Sequence, residues 1–149
     1  YIVLKEKKDR KIHDQLDPLL TPRFLEIYDE MDRHPRIKVL SRLANTGELL
    51  DSADMVISFP FTSTTFEALS RGIPAIWHDP LGCYKDTPYG KVGNVMTHGF
   101  ADLNREVHEI KTHSAEDFFA QLNRSSNLMD PFRDRKSVDR FRQLLSRSE

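Results

Sequence analysis

The sequence predicts an α/β domain, a Rossmann-like open parallel sheet flanked by helices on both faces. Three observations lead there. Short apolar runs suited to buried strands (residues 1–4, 37–40, 55–59 and 75–78) alternate with segments of helical period. The last two runs are joined by one short helix and almost no loop, the spacing of a parallel crossover. That helix is sharply punctuated, with Thr64 and Glu67 at capping-box spacing, then Gly72 to stop it and Pro74 to prevent its continuation.

Residues 1–4 (YIVL) form an apolar run bounded by charge and predict a buried strand. Thr21 and Pro22 open a helix whose apolar residues Phe24, Leu25, Ile27, Tyr28 and Met31 share one face, and it ends before Pro35. Residues 37–40 are the second strand. Asn45 and Glu48 have capping-box spacing for a brief helix through Leu49, Leu50 and Ala53, and the third strand follows at 55–59. After the punctuated helix comes the fourth strand, 75–78.

Residues 79–99 carry Pro80, Gly82, Pro88, Gly90 and Gly93 with little periodicity. So long an irregular segment inside a domain marks a functional or mobile loop. A fifth strand between 95 and 107 is left open. Ser114 caps a helix bearing Phe118, Phe119 and Leu122, and Ser137 caps a last one bearing Val138, Phe141, Leu144 and Leu145. No internal repeat or low-complexity segment interrupts this order.

The chain has 149 residues, enough for one domain with a core, so a single domain over 1–149 is expected. It begins at Tyr1 inside an apolar run, without an initiator Met, and is expected to be a piece of a longer two-domain protein. Charged residues make up 30% and nearly cancel, leaving a net charge of −1. No global field therefore favours a nucleic acid or an acidic membrane surface. The basic run Lys5, Lys7, Lys8, Arg10 and Lys11 is interrupted by Glu6 and Asp9 and reads first as a solvated strand end. The single cysteine, Cys83, excludes an internal disulfide, suits a reducing compartment and reads as a small apolar residue. No apolar run approaches the roughly 20 residues of a membrane helix, and no signal pattern is present.

In parallel sheets ligands sit beyond the carboxyl ends of the strands. That rule selects residues 5–8, 41–45, 58–65 and 78–85 as a rim. The richest part is the turn after the third strand, where the hydroxyls of Ser58, Thr62, Ser63, Thr64 and Thr65 gather at the start of a helix. Hydroxyls and free N–H groups at a positive helix end suit an anion such as phosphate. Glycine-rich dinucleotide and P-loop signatures are absent, which speaks against NAD or ATP in their usual modes. Glu67 has two readings: the capping-box partner of Thr64, or a carboxylate accepting hydrogen bonds from a ribose diol. His78, at the end of the fourth strand, could meet phosphate oxygens. The other histidines lack metal-ligand spacing, and neither a metal nor a cofactor is expected.

The run ADMVISFPFTSTTFEALSRGIPAIWHDP resembles the nucleotide-sugar half of GT-B glycosyltransferases, particularly enzymes of bacterial surface and capsular polysaccharides. The resemblance implies that Ser63, Thr64 and Thr65 hold donor phosphates and Glu67 the ribose, followed by the Gly72 and Pro74 of the helix end. Lys5 or Lys7 would then offset diphosphate charge, and residues 41–45 would meet the base. The tail DPFRDRKSVDRFRQLL is similar to the end of such enzymes at Asp130, Phe132, Asp134 and Arg140, with Arg135 where they commonly have glycine. A second acidic residue of many retaining members would fall at Phe59 and is absent, so neither a retaining nor an inverting outcome is assigned. Thr62, Ser63, Phe66 and Glu67 are also in register with the SSxxFD segment of CDP-glycerol glycerophosphotransferases, Glu replacing Asp.

The expectation is thus the C-terminal donor domain of a glycosyltransferase, cytoplasmic or at the inner face of the membrane. It would move a sugar from a nucleotide-sugar donor to a glycan or lipid-linked acceptor. The catalytic base and acceptor site would lie on a missing N-terminal domain, and peripheral membrane association of the full-length protein is compatible with this. The alternatives are a CDP-glycerol or polyol-phosphate transferase domain of the same fold, and a noncatalytic α/β module in which Thr64 and Glu67 only cap a helix.

Overall fold

The structure, a computed structural model, describes residues 1–6, 19, 21–125 and 136–146. The chain divides into two compact units, Tyr1–Leu49 and Leu50–Glu149. Its fold is α/β with parallel strands, as the alternation predicts, but the strands are shared between two sheets, of two and three strands.

In the first unit β1 (Ile2–Lys5) pairs in parallel with β2 (Ile37–Leu40), Ile2 opposite Ile37 and Lys5 opposite Leu40. Between them runs α1 (Thr21–Arg33), with Pro22 in its first turn, where no N–H is needed. The rings of Phe24 and Tyr28 meet one turn apart with centroids 4.8 Å apart. The expected burial of the first strand is corrected: Ile2 is 59% and Val3 52% exposed. A two-stranded sheet with one helix covers little surface, and none of the described residues of this unit is buried. Asn45 caps α2 (Thr46–Asp51) as its spacing predicts, accepting from Gly47 N at 2.9 Å and donating to Glu48 Oε1 at 3.0 Å. Leu50 of α2 is already part of the second unit's core.

The second unit is built on β3 (Val56–Ser58), β4 (Ala75–Asp79) and β5 (Met96–His98), adjacent in that order and all parallel. Ser58 lies opposite Trp77, and Trp77 opposite Met96. The crossover from β3 to β4 is α3 (Ser63–Ser70), which ends where predicted, Gly72 taking φ +77°. The crossover from β4 to β5 has no α-helix; residues 80–95 make it as a loop containing a 3₁₀ turn at Tyr89–Lys91. After β5 the chain enters α4 (Gly99–Thr112) directly, which settles the region left open by the sequence as strand and then helix. Helices α5 (Ala115–Ser125) and α6 (Ser137–Ser146) follow. Ser114 and Asp117 close a reciprocal cap on α5: Ser114 Oγ accepts from Asp117 N at 3.1 Å, and Ser114 N donates to Asp117 Oδ2 at 3.2 Å.

The central strand β4 is buried throughout except for half-buried His78. Trp77, Val92, Val95, Met96, Phe118 and Leu122 form the larger core cluster, while Leu50, Ala68 and Ala75 form a smaller one under α3. Asn94 Nδ2 donates to Phe118 O at 3.0 Å, fastening the end of the irregular crossover to α5.

Candidate functional site

The turn between β3 and α3 separates its hydroxyls into two groups. Ser58, Thr62 and Thr65 bond to one another: Ser58 Oγ and Thr65 Oγ1 are 2.5 Å apart, and Thr62 Oγ1 donates to Ser58 Oγ at 2.7 Å. Thr62 Oγ1 also lies 3.0 Å from Phe59 O. Thr65 is wholly buried, so its hydroxyl ties α3 to the end of β3. Ser63 and Thr64 are different: Ser63 is exposed, Thr64 half-buried, and neither hydroxyl has a partner among the described residues.

The N-terminus of α3 is left open by the same arrangement. Thr62 occupies the N-cap position with extended backbone, yet its side chain makes no capping hydrogen bond, because its hydroxyl is turned back to Ser58 and Phe59. The N–H groups of Ser63, Thr64 and Thr65 belong to a first turn, which has no intrahelical acceptors. The capping box expected from Thr64 and Glu67 does not form, since the helix begins before Thr64 and places it inside the first turn. Glu67 instead accepts from Arg71 Nη2 at 2.8 Å through Oε1, and Arg71 Nη1 donates to Asp51 Oδ1 at 2.5 Å. Glu67 Oε2 has no hydrogen bond among the described residues. One helical turn after Ser63, Glu67 lies on the same stripe of α3.

Phe61 shapes this turn from outside. Its φ of +61° is the only positive value at a non-glycine residue among those described. A bulky residue holds that conformation only where its surroundings fix it. Its ring meets Trp77 at 5.7 Å, Tyr84 at 4.9 Å and Tyr89 at 5.4 Å, a docking that holds the backbone in place.

The loop carrying Tyr84 and Tyr89 is fastened at both ends. Asp79, almost wholly buried, accepts from Tyr84 N at 2.8 Å and lies 3.2 Å from His98 Nδ1, while His98 Nε2 lies 3.1 Å from Gly90 O. Burial opposes ionisation of Asp79, but the N–H donors of Tyr84 and Cys83 and the His98 ring outweigh it and hold the carboxyl below its ordinary range. Cys83 is exposed, so its predicted role as a small apolar packing residue is replaced by this backbone donation.

His78 Nδ1 lies 3.2 Å from Thr97 Oγ1. It alternates with Trp77 along β4, so it faces away from the side on which Trp77 meets Phe66 of α3. Lys5 lies in the first unit, where its ammonium donates to Thr46 Oγ1 at 2.6 Å. Lys7, Asp130, Phe132 and Asp134 lie outside the described residues. No group of metal-ligating side chains occurs among the described residues, and no described helix is long and apolar enough to cross a membrane.

No curated protein and no solved structure gives a significant match to this chain. Residues 1–107 do match a protein family, described as polysaccharide biosynthesis PFTS motif protein. The four letters stand here as Pro60, Phe61, Thr62 and Ser63, the turn that opens α3. Phe61 docks the turn on the aromatic cluster, Thr62 turns its hydroxyl away from the cap, and Ser63 opens the helix with a hydroxyl that has no partner among the described residues. With most of its length matched and the motif at the open end of α3, the chain belongs to the family of polysaccharide biosynthesis PFTS motif proteins.

Proposed function

We propose that this chain is the donor-binding domain of a glycosyltransferase, holding the phosphates of a nucleotide-sugar at the N-terminus of α3. The observation that carries the reading is the first turn of α3, without a side-chain cap, beside hydroxyls of Ser63 and Thr64 that have no partner among the described residues. Three N–H dipoles and two hydroxyls converge where negative charge is favoured. In transfer they would stabilise charge growing on the leaving phosphate, the role of a preorganised oxyanion site. Glu67 Oε2 takes the ribose hydroxyls, with Arg71 holding the other carboxylate oxygen. Ser58, Thr62 and Thr65 build the turn rather than touch the ligand. The acceptor, a glycan or lipid-linked chain, and the catalytic base belong to another domain, so this chain binds nucleotide without transferring sugar.

Titration of UDP, GDP and CDP, followed by amide NMR shifts and calorimetry, tests the reading. Shifts centred on residues 61–67 and an affinity weakened by Ser63→Ala support it. Shifts confined to α6, or failure of the intact protein to bind any of the three, would sink it. A preference for CDP-glycerol over nucleotide-hexoses would transfer the reading to polyol-phosphate transfer.

A further inference from the structure

At the carboxyl end of the three-stranded sheet, β4 and β5 place Asp79 and His98 side by side as Cα partners. His98 Nδ1 lies 3.2 Å from Asp79 Oδ2, and its Nε2 lies 3.1 Å from Gly90 O in the β4–β5 crossover. One imidazole thus spans from the sheet to the loop. Its side chain is 22% exposed, so solvent can exchange its protons, while Asp79 is almost wholly buried.

Both partners of the ring are acceptors. Gly90 O is a carbonyl oxygen with no proton to give. Asp79 is ionised: burial opposes its charge, but the N–H groups of Tyr84 and Cys83 and the His98 ring hold its carboxyl below the ordinary range. A neutral imidazole has one N–H and one bare nitrogen, so either tautomer turns a lone pair on an acceptor at Asp79 or at Gly90. Turning the ring over puts C–H groups at both contacts and gains nothing. Only the imidazolium, with two N–H groups, satisfies both. The other charges around the ring agree with a cation there: Asp102 of α4 accepts from His98 N at 3.3 Å, with Arg105 on its other oxygen at 2.8 Å. On the loop Cys83, Tyr84, Lys85, Asp86 and Lys91 are exposed, and Tyr89 packs its ring on Phe61 and Trp77. His78, the neighbouring histidine of β4, bonds to Thr97 instead.

We propose that His98, as an imidazolium bridging Asp79 and Gly90 O, is a proton-gated clamp that holds the β4–β5 crossover to the sheet and, through it, the PFTS turn. The crossover carries Tyr84 and Tyr89, whose rings meet Phe61 at 4.9 and 5.4 Å, and Phe61 is the motif residue held at φ +61°. The clamp holds a proton that an ordinary imidazole gives up above about pH 6.5. Its hold is complete below that pH, as long as Asp79 keeps its charge, and is lost as the proton leaves at higher pH. Loss of the proton loosens the loop without detaching it, since Tyr84 N stays on Asp79 at 2.8 Å and Asn94 on Phe118 O at 3.0 Å. The device rests on these loop contacts and does not require the nucleotide reading.

Hydrogen exchange of single amides in the whole chain, expressed as protection factors so that the intrinsic effect of pH cancels, tests the clamp at about pH 5.5 and about pH 8. The amides of Lys91 and Val92, bonded to Pro88 O at 3.3 Å and Tyr89 O at 3.1 Å, report on the loop, and that of Val56, bonded to Pro74 O at 2.9 Å, is the control. Protection of the loop amides should fall about tenfold at the higher pH, the loss of one charge-assisted bond, with Val56 unchanged. The amide shift of Phe61 should move with it. His98→Gln, neutral at both pH values, should remove the dependence, and His78→Gln should keep it. Emission of Trp77, the only tryptophan, shows whether each variant is folded. If His98→Gln does not fold, the ring nitrogen shifts of the unaltered chain decide: two protonated nitrogens where the loop is protected support the clamp, and one bare nitrogen there overturns it. Equal protection at both pH values overturns it. So does a dependence that persists in His98→Gln or disappears in His78→Gln, or a Phe61 shift that does not follow the loop.

Discussion

The Thr65 hydroxyl, which the composition of the turn offers to a ligand, is committed to Ser58 and buried. Thr65→Val keeps the shape and removes that bond, so chemical denaturation should show a loss of about 0.5–1.5 kcal/mol with nucleotide affinity unchanged. Ser63→Ala should do the opposite, leaving stability within about 0.5 kcal/mol while weakening binding. Reversal of the two results would exchange their roles. Glu67→Gln breaks an exposed helical ion pair with Arg71, worth about 0.3–0.5 kcal/mol of stability. If Glu67 also reads a ribose, affinity for the ribonucleotide should fall by roughly 1.5–3 kcal/mol, and less for its 2′-deoxy form. Equal losses measured by calorimetry for the two ligands would leave Glu67 as a partner of Arg71 only.

Two glycines separate elements that need flexibility from elements that need space. Gly72 ends α3 at φ +77° with no atom of the described residues within 4 Å of the place a Cβ would take, so Gly72→Ala should cost about 1 kcal/mol of backbone strain and leave the fold intact. Gly90 has ordinary φ, but a Cβ there would collide with Tyr84 O and the Lys85 backbone. Gly90→Ala must move the loop against the Asp79 and His98 clamp, with an expected loss of about 2–4 kcal/mol. Melting curves on the two variants compare them directly, and a Gly90→Ala protein as stable as Gly72→Ala would show that the loop is not clamped. The β4–β5 crossover is thus an ordered element, although its sequence shows only prolines, glycines and no period.

Acid stability of the whole molecule follows from its carboxylates. Asp79, Asp102 and Asp117 all ionise below their ordinary range in the folded state. Asp102 is held there by Arg105 and the His98 N–H, and Asp117 by the Ser114 hydroxyl and N–H. A lowered folded value stabilises above the ordinary carboxyl pKa of about 4, and that stability is lost as pH falls through the lowered values. Glu106 on α4 runs the other way. Burial raises its pKa, Arg105 opposes the rise, and Glu109 and Asp102 add to it. Its charge therefore opposes folding at neutral pH, and the penalty lifts as pH falls through the raised value. Glu106→Gln should raise the melting temperature at neutral pH, with a gain that shrinks on acidification and is gone below the ordinary carboxyl pKa of about 4. A melting temperature lowered at neutral pH would mean that the Glu106 charge is satisfied in the folded protein.

Local signals carry much of this in the chain itself. The spans of α1 and β2, the cap at Asn45, the stop at Gly72 and the box at Ser114 all depend on neighbours within a few residues, so they are legible without a fold. The clustering of hydroxyls between β3 and α3 is legible for the same reason. Helix α4 is only half visible: Leu103, Val107 and Ile110 recur at helical spacing, but the charged residues among them hide the pattern, and buried Glu106 breaks it. Tertiary structure alone decided which hydroxyls stay free, because Ser58 and Thr65 meet only when α3 folds back on β3. It also decided that the strands form two sheets and that β1 is exposed. Pairing and burial depend on segments distant in sequence, and no local pattern of residue types encodes which distant surface covers a strand or which hydroxyl another one captures.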